Sequence, residues 1–424
     1  MSELPSQCCP SHCCLCGLLC SLEHAGVAAA PLAAVSSCAR RRQWQERSQT
    51  VLPGSLRPGD EEVTALKTLF SPEHKSLIWI DAADVATLRA AVQLAQATGA
   101  TLHVGGTTGA EIAQRVLTSE GWLGTSLGEV ATHADLIITL GDSLLSEFPL
   151  LSERFIQPTV KENRGRWLHL SSQAQPQPVT AGATRHYWPR QEWYNRLSEL
   201  LLRMQPHALV SSTPELQQLS AALQTARSCV WLWDVDEFCD SIDELTIRRL
   251  LGIARKLSEH SRCSLLAMDT RVGRVTADET LLWLTGCRST ARYINQRWVC
   301  PPEMAEYTLD AWAATFDKIL LVQTVPTVGA LPDLPCSHYL LPATRLPGIT
   351  AQGGSAATPR ITSVAAVGIE TPGHLFRGDR ATMFFCQPEP AELARRDTTH
   401  LPTAAALLDA VQGRIVAQEQ PHVN

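Results

Sequence analysis

DLIITLGDS, residues 135–143, decides the fold class. Leu136, Ile137, Ile138, Thr139 and Leu140 run without polar alternation between Asp135 and a Gly–Asp–Ser turn. A strand patterned this way is buried on both faces, as in a parallel sheet covered by helices. The same grammar extends outward on both sides. SLIWI (76–80) is a short apolar run ending at Asp81, and DVATLRAAVQLAQATG (84–99) follows with Val85, Leu88, Val92 and Ala95 at helical spacing before Gly99 stops it. TLHV (101–104) predicts a second strand and AEIAQRVL (110–117) its helix. Further on, CVWLWDV (229–235), CSLLAM (263–268) and KILLVQTV (318–325) predict strands, and IDELTIRRLLGIARKLSEH (242–260) a helix with Leu245, Leu250, Ala254 and Leu257 on its apolar side.

Strands separated by helices imply an α/β architecture: two doubly wound, mostly parallel units. The expected division is a Cys-rich N-terminal segment over 1–58, a first unit over 59–206, a second over 207–345 and an irregular closing segment over 346–424. That last segment holds TRLPGITAQGGSAATPRI (344–361) and an apolar helix candidate, AAALLDAVQGRIV (404–416).

Composition narrows the function classes. A formal charge of -6, with 45 % hydrophobic and 18 % charged residues, argues against a nucleic-acid surface. No basic leader or apolar run of about 18 residues predicts export or a membrane span, so a cytoplasmic chain is expected. Arg40, Arg41 and Arg42 read as a solvated surface run. The 11 tryptophans carry no functional pattern.

Cysteine usage is lopsided. CCPSHCCLCGLLC (8–20) holds six of the chain's 14 cysteines. Cys13, Cys16 and Cys20 form C-x2-C-x3-C, and Cys38 follows after a further 17 residues. Three close thiols and one distant one suit a [4Fe–4S] cluster, because local loop closure sets three corners and the returning chain supplies the last. Zinc could use the same four sulfurs. Cys8, Cys9 and Cys14 are alternative ligands, and incidental thiols in a terminal segment are the competing reading. Cys229, Cys239, Cys263, Cys287, Cys300, Cys336 and Cys386 are dispersed and read mostly as small core residues.

Ligands of open parallel sheets bind beyond the carboxyl ends of strands. There, GGTTGAE (105–111) lacks both G-x-G-x-x-G and the P-loop lysine, so Gly105, Gly106 and Gly109 read as close-packing glycines. In GDSLLSEFPLLSERF (141–155), Asp142, Ser143 and Ser146 are ligand candidates, with helix capping as the better reading. Asp234, Asp236 and Glu237 form a candidate acidic site for which capping is again favoured. Neither G-x-S-x-G nor H-E-x-x-H occurs, and no catalytic or pterin-binding residue is assigned.

Cys13/Cys16/Cys20/Cys38, LGEVATHADLIITLGDS (127–143) and WLTG (283–286), in this order on an α/β chain, resemble the molybdopterin oxidoreductase family, and within it the B subunit of formylmethanofuran dehydrogenase. In that family the cysteines hold a [4Fe–4S] cluster and the second stretch ends on a loop that binds the pterin dinucleotide. The resemblance covers nearly the whole chain, and it implies α/β units that can be discontinuous in sequence. Departures fall on the redox site. Thr107-Thr108-Gly109-Ala110 stands where a metal-binding Cys or selenocysteine and His-Gly-Pro are expected, and threonine is a poor ligand for molybdenum or tungsten. Gly141-Asp142-Ser143-Leu144 replaces a Gly-Ser-Asn-Pro-type turn, and Phe148-Pro149-Leu150-Leu151 a His-Pro-Arg-His-like stretch. Met268-Asp269-Thr270-Arg271 replaces Met-Arg-Gly-His, and Thr324-Val325-Pro326 an Asp-Pro turn.

Such a degenerate pattern resembles the B subunit of the formyltransferase/hydrolase complex of C1 metabolism. It implies a non-catalytic subunit without a Mo/W-pterin, partnered by an amidohydrolase-like subunit and formyltransferase subunits. The complex passes a formyl group from formyl-tetrahydromethanopterin through a methanofuran-type carrier to formate. Two alternatives stand beside it: an active Mo/W-pterin formylmethanofuran dehydrogenase subunit, and a zinc-binding interaction protein.

Overall fold

The computed structural model describes residues 11–22, 38–41, 60–161, 164–174, 182–205, 213–240, 242–301, 314–326, 337–342, 360–387 and 401–419. The chain forms two compact α/β units, and they interleave. One unit takes residues 1–105 and 271–424, the other residues 106–270. The expected boundary at 206/207 is therefore replaced by two crossings, and its physical reason is strand pairing across a long sequence gap.

The first unit opens with a small hairpin, β1 (Ser11–His12) against β2 (Ser21–Leu22). Then come α1 (Asp60–Thr68), β3 (Ser76–Ala82), α2 (Val85–Thr98) and β4 (Thr101–Val104). Asp84 caps α2, its carboxylate accepting from the Ala86 and Thr87 amides at 3.3 and 3.1 Å, and Gly99 ends it in the left-handed region at φ 71°.

In the second unit α3 (Thr108–Glu120) is followed by α4 (Leu127–His133), β5 (Leu136–Leu140), α5 (Ser143–Glu147), β6 (Arg166–Ser171) and β7 (Ala183–Tyr187). Next are α6 (Trp193–Arg203), α7 (Pro214–Thr225), β8 (Ser228–Asp234), α8 (Asp243–Leu257) and β9 (Arg262–Met268). Ser126 and Glu129 make a reciprocal capping box at α4, which fixes the entry to β5. The five strands run in the order β7-β6-β5-β8-β9, all parallel. The tryptophans acquire a role here: Trp188, Trp193, Trp231 and Trp233 fill this unit's core with Leu136, Ile138, Leu140, Ile247 and Leu250. On α8, Leu245 is exposed rather than buried, and Ile247 and Leu251 take its place inside.

The chain then re-enters the first unit with α9 (Val272–Thr285), β10 (Thr290–Ile294), β11 (Arg297–Val299), β12 (Lys318–Gln323), β13 (His338–Pro342) and β14 (Arg360–Val364). The sheet order is β11-β10-β4-β3-β12-β13-β14, with β10 and β11 antiparallel to their neighbours and the rest parallel. Leu320 pairs with Ile78 and Val322 with Ile80, joining segments 242 residues apart. The segment expected to be irregular from 346 onward supplies this edge strand, a hairpin of β15 (Gly373–Phe376) and β16 (Met383–Cys386), and α10 (Ala404–Glu419), which packs on α2. WLTG closes α9, with Gly286 as a left-handed C-cap and Trp283 68 % exposed. Among the described residues, no helix is long and apolar enough to cross a membrane.

Candidate functional site

In the second unit strand order reverses between β5 and β8, so the loops after these strands flank the crevice where such sheets bind ligands. Both loops are rich in carboxylates, and each carboxylate is engaged within the chain. Gly141, at φ 86°, lies beneath the Glu237 side chain; a methyl group there would sit 2.6 Å from the Glu237 carboxyl. Glu237 accepts the Ser143 amide at 2.7 Å, and the Ser143 hydroxyl donates to Asp234 Oδ2 at 2.9 Å. Asp234 Oδ1 accepts the Asp236 amide at 3.1 Å, and Asp236 accepts the Thr107 hydroxyl at 2.5 Å. Gly109 packs so closely on Val235 that any Cβ would overlap its carbonyl oxygen, confirming close packing as the role of this glycine.

Asp142 is held from another direction. It accepts from the Ser171 hydroxyl at 2.7 Å, the Ser172 amide and hydroxyl at 2.8 Å each, the Gln173 amide at 3.1 Å and His169 Nε2 at 3.2 Å. Trp167 Nε1 donates to Thr139 Oγ1, whose own hydroxyl can then donate to His169 Nδ1 at 3.0 Å, leaving Nε2–H for Asp142. Burial alone would raise the Asp142 pKa, but the His169, Ser171 and Ser172 hydrogen bonds win and hold the carboxyl well below its usual range. Asp142 thus ties β5 to β6 and makes no side-chain cap on α5. The capping expectation holds for Asp234, which caps the turn Val235–Glu237, and not for Asp142.

Asp234 has the opposite character. Burial pushes its pKa up to about 7, with Asp236 and Asp269 adding repulsion against the hydrogen bonds from Asp236 and Ser143. Asp269, from the Met268-Asp269-Thr270-Arg271 stretch, is buried as well. Phe148, Leu150 and Leu151 are core residues. Asp142, Asp234, Asp236 and Glu237 take the amide and hydroxyl donors that an anionic ligand would use. These residues do not fit a polyanionic pterin dinucleotide.

The first unit carries the cysteine loop, between β1 and β2. The Cys13 amide donates to the Cys20 carbonyl at 2.8 Å and the Leu19 amide to the Cys16 carbonyl at 3.3 Å, folding residues 13–20 into a tight turn with Leu19 at φ 45°. Cys16, Cys20 and Cys38 are buried and Cys13 is partly exposed. Burial raises the Cys13 thiol to about 12, and neighbouring Cys20 and Cys38 add to that against the Leu15 amide and Arg41. Burial, Cys13 and Cys20 likewise raise Cys16, with Arg40 opposing. Cys20 and Cys38 thus act on Cys13, and Cys13 and Cys20 on Cys16. Arg40 and Arg41 correct the reading of a merely solvated run: both act on the thiols, favouring the thiolate that metal binding needs. Only the spacing of the basic run from Cys38 could have signalled this.

Cys14 packs in an apolar cluster with Leu19, Val325, Ala366 and Cys386. Cys8 and Cys9 lie outside the described residues. Among the described residues no three His, Cys, Asp or Glu side chains are arranged to hold a single metal ion.

No family model matches this chain. No curated protein matches it in sequence either. Its structure is similar to a chain of the formyltransferase/hydrolase complex FhcABCD of Methylorubrum extorquens, solved with methylofuran, at a TM-score of 0.67 and 19 % identity. The superposition covers 85 % of this chain and 96 % of that one. The likeness is one of fold. It shows an α/β fold shared with a chain of that assembly.

Proposed function

We propose that this chain is a non-catalytic scaffold subunit, of B type, in a formyltransferase/hydrolase complex of C1 metabolism. The observation that carries the reading is the self-occupied crevice of the second unit. Glu237 sits on Gly141 and takes the Ser143 amide, and Asp142, Asp234 and Asp236 use the remaining donors. A fold can keep its core while losing the chemistry of its loops. Similarity over 96 % of a chain from such a complex supplies the context. On this reading the chain works in the cytoplasm and holds an amidohydrolase-like subunit and formyltransferase subunits together, while formyl-tetrahydromethanopterin is converted to formate through a methanofuran-type carrier on those partners. Neither nucleic acid nor membrane is a partner.

Cys13, Cys16, Cys20 and Cys38 are the residues that would hold a metal group. A single zinc ion needs its donors to converge at about 2.3 Å, whereas an iron–sulfur cube spreads four thiolates over its corners. The C-x2-C-x3-C spacing with a distant Cys38 supports the [4Fe–4S] group, with Cys16, Cys20 and Cys38 buried and Cys13 partly exposed. Bound there, it would supply cross-linking of the loop or one-electron transfer.

The test is affinity purification of the tagged chain from its native host, with mass spectrometry of what accompanies it. An amidohydrolase-like chain and formyltransferase chains are expected in constant ratio. A chain that purifies alone as a stable monomer contradicts the scaffold role.

A further inference from the structure

The hairpin of β10 and β11 stands at one edge of the first unit's sheet, and its two faces differ. Register sets Tyr293 opposite Trp298 on one face, and Arg292 opposite Val299 and Ile294 opposite Arg297 on the other. The first face belongs to the core. The Tyr293 and Trp298 rings have centroids 5.2 Å apart, Ala291 is fully buried, and Trp298 packs against the first unit's apolar cluster. The second face is open at its outer end, where Arg292 and Arg297 are exposed and Ile294 is 40 % exposed. Arg288, just before β10, spends its charge on Asp278 and Glu279. Among the described residues the Arg292 and Arg297 guanidinium groups have no such partner. Asn295 and Gln296 join the strands at φ 51° and 62°, the left-handed region that favours glycine, so the tip holds Ile294 beside Arg297 at a cost in backbone strain.

β11 has three residues, too few to template an added strand, so the outward face and not the sheet edge is the surface a partner can use. We propose that this face docks an acidic patch of a partner subunit, with Ile294 entering an apolar recess and Arg292 and Arg297 pairing with carboxylates on its rim. Charge decides the occupant. Two unmatched guanidinium groups beside an exposed aliphatic side chain repel a basic surface, and an apolar one would bury them unpaired. Arginine around an apolar anchor is also the composition found at the centre of protein interfaces. The proposal rests on the complex described above, and a second copy of this chain is the competing occupant.

The test titrates the full-length chain with the partner subunits recovered from the wild-type complex, as wild type, Arg292→Glu/Arg297→Glu and Ile294→Ser. Charge reversal is expected to weaken binding of one partner subunit on the order of 30-fold and Ile294→Ser about tenfold. Added salt is expected to weaken the wild type and not the charge-reversed chain, and amide exchange over residues 292–299 to slow in the complex. Should charge reversal unfold the hairpin, Arg292→Gln/Arg297→Gln removes the charges without setting carboxylates side by side. Unchanged affinity in a folded variant, with equal exchange over 292–299 in the free and bound chain, overturns the proposal and leaves the complex in place. A wild-type homodimer that the same variants break gives the face to a second copy and overturns it as well. A wild-type chain that purifies alone as a monomer overturns both readings.

Discussion

Replacing Asp278 by alanine is expected to lower the unfolding free energy by about 3 kcal/mol, the low end of the roughly 3–5 found when one member of a buried ion pair is removed. Asp278 is 1 % exposed on α9 and accepts from Arg380 at 2.7 Å and Arg288 at 3.2 Å, with fully buried Arg274 also acting on it. Burial would raise its pKa, but Arg380, Arg274 and Arg288 outweigh that and lower it. Without the carboxylate, Arg288 and Arg380 keep Glu279 and some solvent access, which limits the loss. Arg274 is 2 % exposed and its Nε–H donates to the Gly105 carbonyl at 2.9 Å, so for it water does not replace the lost carboxylate. Denaturant unfolding measures the change. A loss under about 1 kcal/mol, the range of an exposed pair, would mean that the network is solvated.

Asp234→Asn is expected to remove from the pH dependence of stability a component that falls between about pH 4 and pH 7, opposite in sign to the rise contributed by the buried neutral imidazoles of His103 and His338. Asp234 titrates near 7 in the folded chain, above its unfolded value, so over this window the native state holds a proton that the unfolded state has released. The Asp234 contribution therefore falls as pH rises from 4 to 7 and levels off above 7, beneath the rise from His103 and His338 that both proteins share. At roughly 1.4 kcal/mol per unit, the decline is on the order of 3 kcal/mol. Asparagine mimics the neutral acid and cannot ionise, so the variant gains relative to wild type as pH rises. Asp142 does not blur the window. Its pKa is depressed, so its contribution is fully present above the ordinary carboxylate range and is lost only as pH falls through the lowered value. Unfolding midpoints at pH 5 and pH 8 decide the matter, and an equal slope in both proteins would show that Asp234 is ionised throughout.

Strands with unbroken apolar runs were legible because burial on both faces removes any polar alternation: SLIWI, TLHV, DLIITLG, CVWLWDV and CSLLAM all fall on observed strands. Strands with mixed patterns, such as Ala183–Tyr187 at the edge of the second sheet or Arg360–Val364 at the edge of the first, carried no such signal because one side of an edge strand faces solvent. Interleaving of the units was hidden for a different reason. Pairing of Leu320 with Ile78 depends on closure over more than two hundred residues, and nothing local encodes it.

The candidate site divides the same way. C-x2-C-x3-C is a local pattern, and its three cysteines fall in one tight backbone turn. The effect of Arg41 on Cys13 was not anticipated, whereas Cys386 is the small core residue its isolated position suggested. In the second unit the acidic residues were visible but their partners were not: Glu237 reaches Ser143 across 94 positions, and Asp236 meets Thr107 across 129. Capping is the prior for acids after strands; only Asp234 follows it, since the others face donors from another loop.

Elemental analysis of the anaerobically purified chain with its partners tests the central claim most directly, because a closed pterin crevice and a retained cysteine site make opposite demands on the metals found. Iron near four atoms per chain, without molybdenum or tungsten, is the expected result. Stoichiometric molybdenum or tungsten would contradict the account and make this an active redox subunit.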